Sequence, residues 1–401
     1  MGAPQRNINT NKHKQFTKAK ISKASDMINK LTKLAGVNIN GPKPYDIKVN
    51  NPAFYARALS EQSIGLGESY MDQWWDCDQI DELINKIMQG NLEDKLKKDW
   101  NLMAQVLMHK IFNQQSKKKS LIVGKEHYDV GNELYKYMLD SSMSYSCGYW
   151  KDAKNLEEAQ WNKLDLICKK LKLKPGMKLL DIGCGWGGMA IHAAKHYGCS
   201  VEGVTISKEQ LKLAQEKANK LKLPIDLKFL DYRDLLKTPG KRFDRVVSIG
   251  MFEHIGHKNY RAFMKVSNHI MKDDGFLLVH TIGSNSSKFN CDPWLNKYIF
   301  PHGILPSATQ IAKSAEKIFR LEDWHSFGQH YDTTLMAWHK NFNMHWPEIQ
   351  KFNPQKYNMR FKRMWDYYLL MCAGLFRSRE CQLWQAVYSK PRNREAYESV
   401  R

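Results

Sequence analysis

Residues 178–188 read K-L-L-D-I-G-C-G-W-G-G, an apolar run that meets an acid and then glycines at alternate positions. The run predicts a short buried strand that opens into a ligand-holding turn. Glycines there let the backbone approach a bound molecule and adopt dihedrals closed to other residues. Asp181, Gly183, Gly185 and Gly187 form the pattern D-x-G-x-G-x-G. It differs from the dinucleotide fingerprint G-x-G-x-x-G, because the acid comes first and the glycines alternate. An acid in that place suits the amino group of a bound amino acid, and nothing requires a pyrophosphate. The plain alternative is a glycine-rich turn with no ligand.

Around this turn, strand and helix signals alternate, as in a doubly wound α/β sheet. Strands are expected at 178–182, 200–205, 226–230, 242–249 and 276–281, and later at 321–327 and 382–389. A helix should follow the glycine turn to about Tyr197. Another should begin after Ser207, with Gln210 at capping-box spacing. Helices at about 333–345 and 357–371 separate the late strands. An insertion from 283 to about 320 carries Trp294, Tyr298, Ile299 and Phe300. Insertions at the carboxyl edge of such sheets usually shape a substrate pocket.

Sixty-two Lys and Arg against 41 acids give a net charge of +21, which favours an anionic partner: nucleic acid or an anionic membrane surface. The 401 residues suffice for one large domain and a smaller one. Residues 1–25 read as a basic disordered arm, without an acid before Asp26, or simply as a solvated tail. Residues 26–113 read as a mostly helical domain; its adjacent Trp74 and Trp75 fit a core better than an interface. Residues 114–126 read as a Lys-rich linker, and 127–401 as the catalytic domain. The eight cysteines form no C-x-x-C pair, which favours a reduced cytosolic protein. No apolar run approaches the ~20 residues that span a bilayer, and no signal peptide is visible.

The D-x-G-x-G-x-G form resembles that of S-adenosylmethionine-dependent methyltransferases, which implies a class I Rossmann-like sheet with cofactor contacts at the strand ends. Tyr145 and Ser146 would close over the methionine end. Thr205 and Ile206 follow the second strand, where many methyltransferases place an acid for the ribose hydroxyls. Glu202 lies too early for that, so Thr205 or Gln210 must serve. Asp231, Tyr232 and Arg233 follow the third strand, where the adenine edge is usually read.

More specific segments are Y-S-C-G-Y-W at 145–150, G-M-F-E-H-I-G at 250–256, H-T-I-G-S at 280–284, D-P-W-L-N-K-Y-I-F-P at 292–301 and Y-D-T-T-L-M-A-W at 331–338. With V-G-K-E-H-Y-D-V-G-N at 123–132 and C-A-G at 372–374, they resemble the cyclopropane-fatty-acyl-phospholipid synthase family over about 375 residues. The resemblance implies methyl transfer to the cis double bond of a phospholipid acyl chain, followed by loss of a proton and ring closure. An alkene is a poor nucleophile, so alignment must supply much of the rate. The site must hold a base, exclude water and stabilise a cation, a task suited to aromatic faces.

In this family the base is bicarbonate. Carried over by motif, its nest would comprise Cys147, Glu253, His280, Ile282 (through its backbone) and Tyr331. Read alone, Glu253 is either the base itself or a structural carboxylate, and His280 is a core histidine. Cys372 matches a cysteine long regarded as an active-site residue. Methyl transfer to an alkene needs no covalent enzyme intermediate, and M-C-A-G-L-F reads as an apolar helix end. The excess basic charge predicts peripheral docking on the inner face of an anionic membrane, with the 26–113 domain as a second contact, or else is spread for solubility; the resemblance also implies a homodimer. Nucleic acid is not expected as substrate, because G-M-F-E-H stands where a base-reading N-P-P-Y would. A non-catalytic lipid binder would not need the intact glycines and nest. The remaining rival is a lipid C-methyltransferase that yields a methyl-branched or hydroxylated chain.

Overall fold

A computed structural model describes residues 16–90, 131–237, 240, 242–287 and 291–401. Its centre is a seven-stranded sheet: β3 (Lys178–Ile182), β4 (Ser200–Thr205), β5 (Ile225–Phe229), β6 (Phe243–Ile249), β7 (Met271–Ser284), β8 (Arg320–Ser326) and β9 (Cys381–Ser389). The order is β5-β4-β3-β6-β7-β9-β8. β5 through β7 are parallel, and β9 runs antiparallel to both its neighbours. Parallel strands covered on both faces read as continuous apolar runs. Accordingly Leu179, Leu180, Asp181 and Ile182 are all buried.

The helices on the two faces follow from ordinary end signals. Asn155 caps α5 (Leu156–Lys170) by accepting from the Glu158 N–H, with acids in the first turn and lysines in the last. α6 (Gly188–Tyr197) follows the glycine turn, and Ser207 caps α7 (Lys208–Lys220) through the Gln210 N–H as expected. α8 (Tyr260–Ile270) leads into β7. β7 is longer than the expected 276–281. Lys272, Asp273 and Asp274 look like a turn in sequence, yet Met271 already pairs with Phe243 and Lys272 bonds Asp244 at 2.6 Å. The insertion holds α9 (Pro293–Tyr298) and α10 (Ala308–Ala315), the latter with a full Ser307–Gln310 capping box. α11 (Gln329–Met344), α12 (Trp346–Phe352) and α13 (Met359–Arg377) precede β9.

The N-terminal part contains α1 (Lys18–Leu34), a small antiparallel pair β1 (Lys48–Val49) and β2 (Trp75–Asp76), α2 (Ala53–Met71) and α3 (Ile80–Gln89). α1 begins inside the stretch expected to be a disordered arm. The remaining helix expected up to residue 113, and the linker, lie outside the described residues. Where the chain is described, the N-terminal part shares one core with the last long helix: Phe54, Trp75, Leu83 and Ile84 cluster with Tyr367, Leu369 and Met371 of α13. Trp75 is fully buried and donates to the Leu66 carbonyl at 3.1 Å. Trp74 is partly buried beneath the Arg57 guanidinium. Ion pairs stitch the same seam, with Arg377 reaching Asp81 at 2.7 Å and Asp332 at 2.9 Å. α4 (Asn132–Met138) lies beside Trp186, whose indole N–H donates to Asn132 Oδ1 at 3.0 Å.

Candidate active site

A cleft of about 500 Å³ opens at the carboxyl ends of β3, β4, β5 and β6. Tyr145, Ser146, Asp181, Gly183, Gly185, Thr205, Ile206, Gln210, Asp231, Tyr232 and Arg233 all line it. Gly183 has φ +83°, and a Cβ there would meet Met251 at 2.8 Å. Gly187 does not line the cleft. It caps α6 in the left-handed region at φ +82°, against Ala214, so its role is to turn the chain. Asp231 is held by Arg233 at 2.6 Å. Glu202 is indeed occupied elsewhere, 3.2 Å from Lys228. Ile206 is 74% exposed, an uncovered apolar side chain in the wall of the cleft.

Two buried ionisable groups line the cleft, near enough to influence each other's titration. Asp181 Oδ2 has no hydrogen-bond partner, and burial pushes its carboxyl up to about 7. Lys163 is 1% exposed; burial pulls its ammonium down to about 8 against the pull of Asp140. Its Nζ donates to Ser146 Oγ at 3.2 Å. Lys163 was not anticipated from sequence. The signal was present, because Gln160, Lys163, Leu164 and Ile167 share one buried helical face and a lysine there requires a reason. Met251, His254 and Asn259 also line the cleft without having been foreseen.

The expected nest lies behind the cleft, outside its lining. Glu253 sits in a single helical turn, Phe252–His254, after β6. Its Oε1 accepts from the Ile282 N–H at 2.7 Å. Its Oε2 is buried without a partner, and burial raises the carboxyl to about 7. The Ile282 carbonyl accepts from Thr281 Oγ1 at 3.0 Å. Glu253 thus occupies the Ile282 N–H, the one donor this backbone position offers.

His280, on β7, meets Gln385 Nε2 at 3.3 Å through Nδ1, and its Nε2 is buried without a partner. Burial, then Lys163 and Lys170, hold its pKa well below the ordinary value. The ring is therefore neutral, with its proton on Nε2. Cys147 is fully buried, accepts from Thr334 Oγ1 at 3.9 Å, and has its thiol pushed far up by burial. Tyr331 is buried, packs on Phe376, and lies near Cys147, Glu253 and Cys372; burial pushes its hydroxyl well above the ordinary range. Cys372 is partly buried in α13 with its thiol pushed well above the usual range, which disfavours the nucleophilic thiolate.

Aromatic rings join cleft and nest. Tyr145 hydrogen-bonds Tyr368 at 2.6 Å and packs against Tyr135 and Trp338, with centroids at 5.0 and 5.1 Å. Tyr331 meets Trp338 edge-on, and Phe300 of the insertion meets Tyr368. Such a wall is apolar, excludes water and offers π faces to a positive centre.

A largely parallel sheet in this order, with a D-x-G-x-G-x-G turn at its switch point, defines a class I S-adenosylmethionine-dependent methyltransferase. A family model described as mycolic acid cyclopropane synthetase matches residues 115–386. The cyclopropane-fatty-acyl-phospholipid synthase of Escherichia coli (strain K12) is 54% identical over 362 residues, 90% of this chain and 92% of that protein. Among solved structures, the cyclopropane synthase MmaA2 from Mycobacterium tuberculosis is similar with TM-score 0.60 and 31% identity, over 67% of this chain and 97% of that one. Mycolic acid cyclopropane synthase CmaA1, complexed with SAH and CTAB, gives TM-score 0.59 and 29% identity over 67% and 98% of the two chains. The chain belongs to the mycolic acid cyclopropane synthetase family.

Proposed function

We propose that this chain methylates the cis double bond of an unsaturated phospholipid acyl chain with S-adenosylmethionine and closes the product to a cyclopropane. The observation that carries the bicarbonate-assisted form is the pair of buried, unpartnered polar atoms, Glu253 Oε2 and His280 Nε2. One accepts and the other donates, so a small oxyanion that carries a hydroxyl satisfies both. Leaving two such groups unmet would cost about 1–3 kcal/mol each.

The cofactor's amino acid end fits the charges on the cleft floor. Asp181 takes the α-ammonium, whose positive charge offsets the effect of burial on its carboxyl, and Lys163 takes the α-carboxylate. Ile206 covers an apolar face of the adenine, and Thr205 or Gln210 meets the ribose. In the reaction the alkene π pair forms a bond to the methyl carbon as the carbon–sulfur bond breaks and the sulfide leaves. The Tyr145, Tyr331 and Trp338 rings stabilise the resulting carbocation. A proton then leaves the added methyl, and its C–H pair closes the ring. Bicarbonate, when bound, supplies the base for that proton. Glu253 would orient it by accepting from its hydroxyl, the His280 Nε2–H and the Tyr331 hydroxyl would donate to its oxygens, and Cys147 and the Ile282 backbone would border the nest.

Among the described residues no helix is long and apolar enough to cross a membrane. The net charge of +21 supports reversible docking on an anionic surface, and a homodimer would add avidity.

Turnover measured in carbonate-depleted buffer tests the nest. Depletion should lower kcat by about tenfold or more, with recovery on adding bicarbonate, and Glu253→Gln should lose on the order of 100-fold. Full rate in depleted buffer would rule the nest out as a bicarbonate site.

A further inference from the structure

A second cleft, of about 400 Å³, plays no part in the chemistry above. Phe327 and Phe376 line it, and the same two rings contact His280 (centroids 6.0 Å) and Tyr331 (4.6 Å). The cleft is therefore one ring's thickness from the nest. The start of α11 forms part of its wall, and no Asp or Glu lines it. Lys151 and Arg379 line it from exposed positions, and neither pairs with a carboxylate among the described residues.

Two histidines in the wall have fixed tautomers. His330 Nδ1 accepts from the Trp150 backbone N–H at 2.9 Å. His325 Nδ1 lies 3.1 Å from Lys170 Nζ, which pairs with Asp323 at 2.9 Å; burial pulls the ammonium down to about 8, so it is charged at neutral pH. An ammonium only donates, so in both rings the proton sits on Nε2. Burial holds both imidazoles below their ordinary pKa, and Lys170 adds to this for His325. At neutral pH each is an uncharged N–H donor. The cleft thus combines two cations and two neutral rings that each carry an N–H, with no carboxylate, the complement of an oxyanion with several acceptor oxygens.

We propose that this cleft binds a phosphate oxyanion, supplied either by the phosphodiester of a phospholipid headgroup or by free inorganic phosphate. It stands apart from the acyl reaction, so its occupancy can be read without turnover.

The test is calorimetric titration of inorganic phosphate into the full chain at constant ionic strength, with chloride as reference. In parallel, KM and kcat are measured on vesicles of monounsaturated phosphatidylglycerol. The variant is Lys151→Gln with Arg379→Gln, two exposed positions whose replacement leaves the core intact. A control variant, Lys265→Gln with Lys313→Gln, removes equal charge from exposed sites elsewhere. Phosphate affinity should fall about tenfold or more in the first variant and stay unchanged in the control. A vesicle KM raised about fivefold or more with kcat unchanged, again only in the first variant, assigns the cleft to the headgroup. Lost phosphate binding with an unchanged KM assigns it to free phosphate. No phosphate binding by the parent together with KM values alike in both variants overturns the proposal.

Discussion

Lys163 shows how much a single buried group can say. Its ammonium is pulled down to about 8, below its unfolded value, so its charge opposes folding below that pH and the penalty fades as pH rises toward 10.5. Lys163→Met should therefore lose the rise in stability between pH 8 and 10.5, while affinity for S-adenosylhomocysteine falls about tenfold or more. Calorimetry on the folded variant checks this, and unchanged affinity would remove Lys163 from the cofactor site. Glu253 gives the opposite sign. Its folded pKa of about 7 lies above the ordinary 4.5, so its contribution to stability is complete below pH 4.5 and is lost as pH rises through 7. Glu253→Gln should flatten the fall in apo stability across that window by up to about 3 kcal/mol. Denaturant titrations at pH 5 and pH 8 compare the two chains, and equal slopes would contradict the assignment. Most of the cleft was legible in sequence, because Asp181, Thr205 and Asp231 end strands that periodicity locates. Lys163 was not, because its significance depends on which face of α5 is buried. The free atoms of Glu253 and His280 were also invisible until their partners, Ile282 and Gln385, were placed.

At the scale of elements, strands were read to within about a residue where apolar runs end in glycine or a capping residue, as at β3 and β4. β7 was read short because Lys272–Asp274 find their partners on Asp244 and the C-terminal strand region, which are distant in sequence. The seam between α2 and the insertion escaped sequence reading for the same reason. Gly67 sits against Trp294, and a Cβ at residue 67 would collide with the indole. Trp294 is fully buried and stacks edge-on upon Tyr367 of α13. Gly67→Ala should cost about 1–3 kcal/mol through overpacking, despite alanine's better helix propensity. Chemical denaturation measures the cost; a variant as stable as the parent would mean that α2 and α9 do not dock this way.

For the whole molecule, the arrangement couples three regions through one aromatic wall. The cofactor cleft lies on one side, the nest behind it, and the N-terminal helices pack on α13, whose Tyr367 and Tyr368 face the two ends of that wall. In the proposed reaction the sheet's cleft would hold the methyl donor, and the added helices and insertion would supply a dry, aromatic place for an alkene and a cation. The central claim is that the transferred methyl itself loses a proton. Incubation with S-adenosylmethionine carrying a fully deuterated methyl group and with monounsaturated phospholipid vesicles, followed by mass spectrometry of the acyl chains, tests this directly. The account predicts a chain that has lost its olefin and kept two of the three deuterons. A chain that keeps all three, as a methyl branch or beside a hydroxyl, would contradict ring closure in this site.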